Sequence, residues 1–144
     1  MSTAGPSIAG SSPCAAPAET VWAVWTNPSG WRGDVIKAAT IDRPFGIGAK
    51  ITTTVKGYPP LTTAVTRVEP PRLWIGVAKA PGLTTTIEHV IEAAEVGTCL
   101  TERATFSGPL AGVAARLMGK RLETTFGATT AHCARLAEAA ASAG

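Results

Sequence analysis

Two side chains able to move a proton, His89 and Glu102, stand in neighbouring runs of alternating apolar and polar residues. Both runs lie in TTTIEHVIEAAEVGTCLTERATF, residues 84–106, on either side of a short link around Gly97. Apolar surroundings raise the pKa of a carboxyl group, which would make the glutamate a general base near neutral pH, with the histidine as acid or orienter. The alternative is structural: the two side chains satisfy each other, or bond to a helix, and only tolerate a cavity.

The alternation assigns both residues to the face that should be apolar. That face carries Ile87, His89, Ile91 and Ala93 in the first run, and Leu100, Glu102, Ala104 and Phe106 in the second. The short link fixes the register, which places His89 opposite Glu102 or one diagonal step away. The same register pairs Glu88 with Arg103 on the outer face. Since burying a polar group without a partner costs about 2 to 7 kcal/mol, both inner groups need a partner or water.

The elements that must position these residues begin with a short helix and several strands. In APAETVWAVW, Pro17 suits the first turn of a helix, which Pro28 helps to end. From Val35 the apolar period changes to two, and turns such as RPFGIG and EPPR divide the segment into about six antiparallel strands. A further, weaker first strand is predicted over residues 8–15, where Pro13 confines it to an edge or a strand end.

A long helix is predicted to complete the chain. Apolar residues recur at steps of three and four over residues 110–140, as in a helix with one buried face. An antiparallel sheet with helices on one face is an α+β design. The 144 residues have the length of one domain with a single core. Residues 1–7 are expected to be a flexible N-terminus, and residues from about 141 to 144 a frayed tail.

Composition and charge exclude several classes of protein. The net charge is +3 with a pI of about 9.0, but the basic residues are spread singly, whereas nucleic-acid binding needs a basic patch. The three cysteines have no CxxC spacing, so we predict no metal and no cofactor. Without a signal peptide or an apolar run of eighteen residues, the sequence predicts a cytoplasmic protein with no membrane insertion, as a monomer or homodimer.

Several segments, in this order, resemble a known superfamily. They are APAETVWAVWTNPSGW, GIGAKI, VTRVEPPRLW, TIEHVIEAAEVGTCLTERATFSGPL and a final helix with LETTF at its middle. Together they are similar to the START/Bet v 1-like (SRPBCC) proteins, and more closely to the bacterial polyketide cyclase/dehydrase-like branch. The resemblance spans residues from about 8 to 140.

This resemblance implies a helix-grip fold with an internal cavity. A curved antiparallel sheet of about seven strands would surround the long C-terminal helix, with two short helices after strand one. Such proteins hold a hydrophobic or aromatic small molecule between sheet and helix. The sequence departs from the family pattern in GSSPCA, where the first strand is unusually rich in small residues and proline.

The catalytic candidates are Glu102 and His89, and the ligand-binding candidates are apolar or aromatic side chains expected near the cavity. Aromatic faces pack against flat ligands, although core packing explains an aromatic residue as often. The ligand-binding candidates are Trp31, Phe45, Trp74, Ile91, Phe106, Leu110 and Leu122. Tyr58 is interpreted as an exposed turn residue, Trp25 as helix packing and His132 as helix surface.

Three functions fit these observations. The first is a cyclase or dehydratase of the lyase type, acting on a polyketide-like or other aromatic substrate through Glu102 and His89. The second is a non-catalytic carrier or sensor of hydrophobic molecules, for which the threonine-rich strands offer adaptable hydroxyl contacts. The third is an interaction module like the Hsp90-activator relatives of the fold, which predicts an exposed apolar patch instead of a deep cavity.

Overall fold

The structure, a computed structural model, describes residues 5–143 and has seven strands and two α-helices. Of the predicted flexible N-terminus, residues 1–4 lie outside the described residues, as does Gly144 of the predicted tail. The elements, in chain order, are β1 (Ser7–Cys14), α1 (Ala18–Trp25), a 3₁₀ turn (Pro28–Gly30), β2 (Ile36–Ile41), β3 (Lys50–Val55), β4 (Leu61–Glu69), β5 (Leu73–Ala80), β6 (Leu83–Ala93), β7 (Thr98–Ser107) and α2 (Ala111–Ala143).

All strands form one antiparallel sheet in the order β1-β7-β6-β5-β4-β3-β2. Strands β2 to β7 make a meander, and β1 joins at the far edge beside β7. The sheet curls around α2, which confirms the predicted α+β helix-grip architecture. The second of the two short helices predicted after strand one is only a three-residue 3₁₀ turn. None of the helices in residues 5–143 has the length and apolar character needed to cross a membrane.

The register of β6 and β7 confirms the predicted pairing. His89 lies directly opposite Glu102, and Glu88 opposite Arg103. On the outer face, Nη1 of Arg103 lies 3.5 Å from Oε1 of Glu88. Both strands alternate between a concave face that meets α2 and a convex face toward solvent, so the proton-transfer candidates share the concave side.

Strand β1 packs directly against the second half of α2. A Cβ atom placed on Gly10 would lie 2.5 Å from the backbone nitrogen of Gly127, so only glycine allows this approach. Nearby, Sγ of Cys14 lies 3.5 Å from the carbonyl oxygen of Ala134. The small residues of GSSPCA, the departure noted in the sequence, are therefore the residues that let helix and strand touch.

The first half of α2 is less deeply buried than the second. Leu117 is 76% exposed, and Val113 is 54% exposed. In the second half, Thr130, Cys133 and Ala137 are buried. A hollow remains between the concave face and the stretch of α2 from Leu117 to Cys133.

Candidate active site in an internal cavity

A cavity of about 710 Å³ lies between the concave face of the sheet and α2. Residues 57–60 of the turn between β3 and β4 line it, with Lys79, Leu117 and Arg121; we call this group the mouth, because its side chains are mostly solvent-exposed. The opposite end, which we call the inner end, is lined by buried side chains: Trp25, Trp31, His89 and Cys133. A cavity of this size holds a small organic molecule.

His89 and Glu102 face each other at the inner end. Nε2 of His89 lies 3.8 Å from Oε2 of Glu102, and the two side chains are 8% and 15% exposed. This distance is too long for a direct hydrogen bond. The carboxyl group therefore keeps an oxygen for another partner within the cavity.

The carboxyl group of Glu102 is poised to change protonation near neutral pH. Desolvation raises its pKa from 4.5 to about 7, although a hydrogen bond from Thr129 acts in the opposite direction. Oγ1 of Thr129 donates this bond to Oε1 of Glu102 over 2.6 Å. A carboxyl group with a pKa near the ambient pH is well matched to both accepting and returning a proton.

Thr129 has partners for both protonation states of Glu102. Its hydroxyl also lies 3.3 Å from the carbonyl oxygen of Phe126, in the preceding turn of α2. When Glu102 is ionised, the hydroxyl proton points to the carboxylate. When Glu102 carries a proton on Oε1, the threonine oxygen accepts a hydrogen bond from that O–H group and turns its own hydrogen toward the carbonyl oxygen of Phe126. Neither state leaves the threonine without a partner.

His89 is fixed as a neutral ring by its neighbours. It stacks on Trp74, with ring centroids 3.6 Å apart, and meets the edge of Trp25 at 5.2 Å. Nδ1 lies 3.3 Å from the carbonyl oxygen of Trp74; a carbonyl only accepts, so Nδ1 carries the proton and Nε2 presents a lone pair to Glu102. Burial lowers the pKa of His89 from 6.5 to about 3, despite this bond. Of the two roles left open by the sequence, the neutral ring favours orienting over acid catalysis.

Cys133 also lines the inner end, but as an unreactive thiol. Burial, assisted by the negative charge of Glu102, raises its pKa from 9.0 to about 12. Because the thiolate is the nucleophilic form, a thiol with this pKa is a poor nucleophile at neutral pH. No cluster of three His, Cys, Asp or Glu side chains within residues 5–143 is arranged as a metal site. The titratable group suited to chemistry here is the carboxyl of Glu102.

Four of the seven predicted ligand-binding residues line the cavity: Trp31, Trp74, Phe106 and Leu122. The other three, Phe45, Ile91 and Leu110, do not. Phe45 packs edge-on against the indole of Trp74, at 5.2 Å. Ile91, one step beyond His89 on the same face, is buried in the solid core near α1. Leu110 precedes α2 and is 48% exposed, since the chain turns outward there.

A group of residues at the mouth was not predicted from the sequence. The hydroxyl of Tyr58 lies 3.0 Å from Oγ1 of Thr125. Above the ring of Tyr58, at 4.4 Å from its centroid, stands the guanidinium of Arg121, which also donates a hydrogen bond to the carbonyl oxygen of Gly57. These contacts join a turn to a helix more than sixty residues later, and neither segment's pattern signals the other. Tyr58 is therefore a cavity residue instead of an exposed turn residue.

Two further interpretations of single residues need correction. Trp25 packs in α1 as predicted, but it also lines the inner end of the cavity. His132, interpreted as helix surface, is partly buried, and its Nε2 lies 2.7 Å from the carbonyl oxygen of Trp31. It thus holds the segment after the 3₁₀ turn against α2, close to Gly33.

Comparison with solved structures places this geometry in a known fold. A Nitrosomonas europaea protein is 17% identical with a TM-score of 0.68, and the alignment covers 90% of this chain and 92% of that one. Norcoclaurine synthase from Thalictrum flavum, solved in complex with dopamine and hydroxybenzaldehyde, is 12% identical with a TM-score of 0.68, over 91% and 85% of the two chains. At these identities the likeness establishes the fold alone.

A third structure is the di-domain ARO/CYC protein BexL of the BE-7585A biosynthetic pathway. It is 19% identical with a TM-score of 0.63, and the match covers 94% of this chain and 50% of BexL. No curated protein matches the sequence. The family described as polyketide cyclase / dehydrase and lipid transport matches residues 6–138. With nearly the whole chain matched, the protein belongs to the polyketide cyclase / dehydrase and lipid transport family.

Proposed function

We propose that the protein binds a hydrophobic aromatic small molecule in the cavity and catalyses its cyclisation or dehydration by proton transfer through Glu102. The observation that carries this proposal is the state of that carboxyl group. It lies at the inner end of a largely apolar cavity with a pKa of about 7 and has one free oxygen.

The proposed reaction neither consumes nor releases protons or electrons overall. Ionised Glu102 removes a proton from a carbon next to a substrate carbonyl, and the electron pair left behind attacks a second carbonyl carbon of the same molecule. The new carbon–carbon bond closes a ring, and protonated Glu102 returns its proton to the resulting alkoxide. In a later dehydration, ionised Glu102 removes a carbon-bound proton and passes it to the departing hydroxyl group, which leaves as water as the carbon–carbon double bond forms. The steps need no oxidant or reductant.

The other residues of the inner end support this reaction without exchanging protons with the substrate. Thr129 stabilises each protonation state of Glu102, as its two partners allow. Neutral His89 turns its Nε2 lone pair toward the carboxyl group and keeps a positive charge out of the site. Trp31, Trp74 and Phe106 line the cavity and would restrict the conformations of a bound substrate, and such positioning contributes several kcal/mol to ring closure.

Binding without reaction is the second candidate function, as in a carrier or sensor. The cavity wall carries hydroxyl groups from several strands, contributed by Thr53, Thr62, Thr63 and Thr85. Hydroxyls on a wall adapt to many ligands, which favours a container over a dedicated catalyst. The interaction-module hypothesis called for a patch in place of a deep cavity, and the cavity therefore favours the first two functions.

A model substrate tests the catalytic proposal without knowledge of the natural substrate. 5-Nitrobenzisoxazole is an aromatic carbon acid whose ring opens, with a change in absorbance, when a base removes its proton. We expect the protein to accelerate this opening with a pH midpoint near 7, and Glu102→Gln to reduce the acceleration about 100-fold. Glu88→Gln, on the convex face, is the matched control and should retain the full rate.

Two results would count against catalysis. Equal rates in the protein and in Glu102→Gln would show that the carboxyl group is no base. Binding of N-phenyl-1-naphthylamine, a neutral fluorescent aromatic molecule, together with absent ring opening would favour the carrier. Failure to bind this neutral molecule at all, in a folded sample, would contradict the cavity as a ligand site.

A further inference from the structure

We infer that the molecule bound in the cavity carries an anionic group, which Arg121 receives at the mouth. The inference rests on the proposed function and narrows its ligand to amphipathic aromatic acids. Such a ligand would have an apolar body between Arg121 and Glu102, with its reactive end at the carboxyl group.

The positively charged and acidic side chains that line the cavity stand at opposite ends of it. The two cations, Lys79 and Arg121, stand at the mouth, and the lining carboxyl group, Glu102, stands at the inner end. With the pKa values given above, the histidine is neutral and the glutamate is only about half ionised at pH 7. A charged ligand group would therefore meet a positive mouth and an interior of little charge. This arrangement attracts an anion and orients it with the charge outward.

Arg121 is positioned but not neutralised. Its guanidinium lies above the ring of Tyr58 and donates to the carbonyl oxygen of Gly57, which together fix the plane of the group. Among the described residues, no carboxylate forms an ion pair with it. A guanidinium has five N–H donors in a rigid fork that matches a carboxylate or phosphate. The remaining donors of Arg121 are free for such a group.

Two hydroxyl groups beside this cation are already hydrogen-bonded within the protein. The hydroxyl of Thr125 donates to the carbonyl oxygen of Arg121 over 2.9 Å, so the hydroxyl of Tyr58 donates to Oγ1 of Thr125. Both residues line the cavity. Neither hydroxyl hydrogen is free for a ligand, so the donors for an anion would be those of the Arg121 guanidinium, which its contacts with Tyr58 and Gly57 hold in place.

The separation of the two polar ends sets the ligand's size. Arg121 and Thr129 are both on α2 and eight residues apart, a rise of roughly 12 Å at 1.5 Å per residue. Thr129 marks the level of Glu102, to which it is bonded. A fused system of two or three aromatic rings bearing one acidic group spans about this distance. A small neutral aromatic molecule would leave one of the two ends unused.

Two fluorescent probes with one scaffold test the inference. 8-Anilinonaphthalene-1-sulfonate is anionic, and N-phenyl-1-naphthylamine is the same scaffold without the sulfonate. We expect the sulfonate to bind more tightly, with an affinity that falls as salt rises. Arg121→Gln should weaken sulfonate binding about tenfold and change binding of the neutral probe less than about twofold.

Matched variants separate this contact from other effects. Lys120→Gln removes the same charge from the adjacent exposed residue, which does not line the cavity, and should change neither affinity. Thr85→Phe should place a phenyl group in the cavity and weaken binding of both probes, which identifies the cavity as the place of binding. If Arg121→Gln loosens the turn that it holds, the neutral probe reports the damage, and Arg121→Lys, which keeps the charge, restores part of the sulfonate affinity.

The outcomes are distinct for the two proposals. An unchanged affinity ratio between the two probes in Arg121→Gln, or equal effects of Lys120→Gln, would overturn the anionic ligand while leaving the cavity as a ligand site. Sulfonate binding that Thr85→Phe leaves unchanged, while the same substitution weakens binding of the neutral probe, would also overturn it, since the anion would then be bound elsewhere. A different result would contradict the proposed function, namely failure of the folded protein to bind the neutral probe.

Discussion

The hydroxyl of Thr129 on α2 lies 2.6 Å from a carboxyl oxygen of Glu102 on β7, and this hydrogen bond joins helix to sheet at the inner end of the cavity. The bond links two properties that are usually separate. One is the seating of the helix on the sheet, and the other is the protonation of the group that would act on a ligand. A ligand that shifts α2 outward would also raise the pKa of Glu102, because the bond favours the ionised form.

Removing this hydroxyl should therefore move the protonation of Glu102. In Thr129→Val we expect the midpoint of the Glu102 titration to rise above about 7, because the ionised carboxylate loses its donor. Carbon-13 NMR of labelled glutamate side chains measures the midpoint directly. Thr130→Val is the matched control, since that buried hydroxyl bonds only to the carbonyl oxygens of Phe126 and Gly127. Equal shifts in both variants would assign the effect to general loosening of α2.

The raised pKa of Glu102 also makes folding stability depend on pH. The folded protein holds the proton up to about pH 7, whereas the unfolded chain releases it near 4.5, so the contribution of this group is fully present below 4.5 and lost as pH rises through 7. The loss amounts to about 3 kcal/mol across this window. Glu102→Gln should abolish this loss, so the free energy of unfolding of the variant, relative to that of the wild type, should rise from pH 5 to 8.

The contribution of His89 to stability changes with pH in the opposite direction, over a pH range that overlaps that of Glu102. Its pKa is lowered from 6.5 to about 3, so stability is lost as pH falls from 6.5 toward 3. The wild-type curve alone mixes the two groups. Urea unfolding of wild type and Glu102→Gln at matched pH isolates the glutamate, with Glu88→Gln as the control on the convex face. A difference between wild type and Glu102→Gln that is independent of pH would contradict the raised pKa.

The cysteines offer an independent test of the inner end. We expect iodoacetamide at pH 8 to label Cys99, which is partly exposed on β7, well before Cys133, whose pKa of about 12 leaves only about one thiol in 10⁴ ionised. Peptide mapping by mass spectrometry follows each site. Glu102→Gln should accelerate labelling of Cys133, since it removes the negative charge that disfavours the thiolate. Rapid labelling of Cys133 in the wild type would show that the inner end is accessible to solvent.

The sequence predicted one part of the site well because that part is local. His89 and Glu102 stand in strands joined by a short link, so alternation and link length determine their faces and their pairing. Thr129, Tyr58 and Arg121 meet their partners only after the helix and the sheet have packed together. Their types and spacing fit an ordinary helix face and an ordinary turn, and no periodicity distinguishes a residue over a cavity from one over solvent.

The first strand has an unusual composition, which could be explained only after the packing of the helix against it was known. A strand rich in glycine, serine and proline has low intrinsic preference for a sheet. As β1 it is an edge strand paired only with β7, which tolerates Pro13. The close approach of α2 then requires Gly10 to lack a side chain. The composition that weakened the prediction of this strand is what the helix-grip contact demands.

Two glycine substitutions at this contact should have opposite effects. In Gly10→Ala the new methyl group would meet the backbone of α2 at 2.5 to 2.7 Å, so helix or strand must move, at a cost of about 1 to 3 kcal/mol. In Gly127→Ala the new methyl group meets nothing within 4 Å, and alanine's preference for helix should stabilise the protein by roughly 0.5 to 1 kcal/mol. Chemical unfolding at fixed pH measures both. Equal stability of the two variants would mean that β1 and α2 do not touch as described, and with that contact the cavity's closed inner end would lose its support.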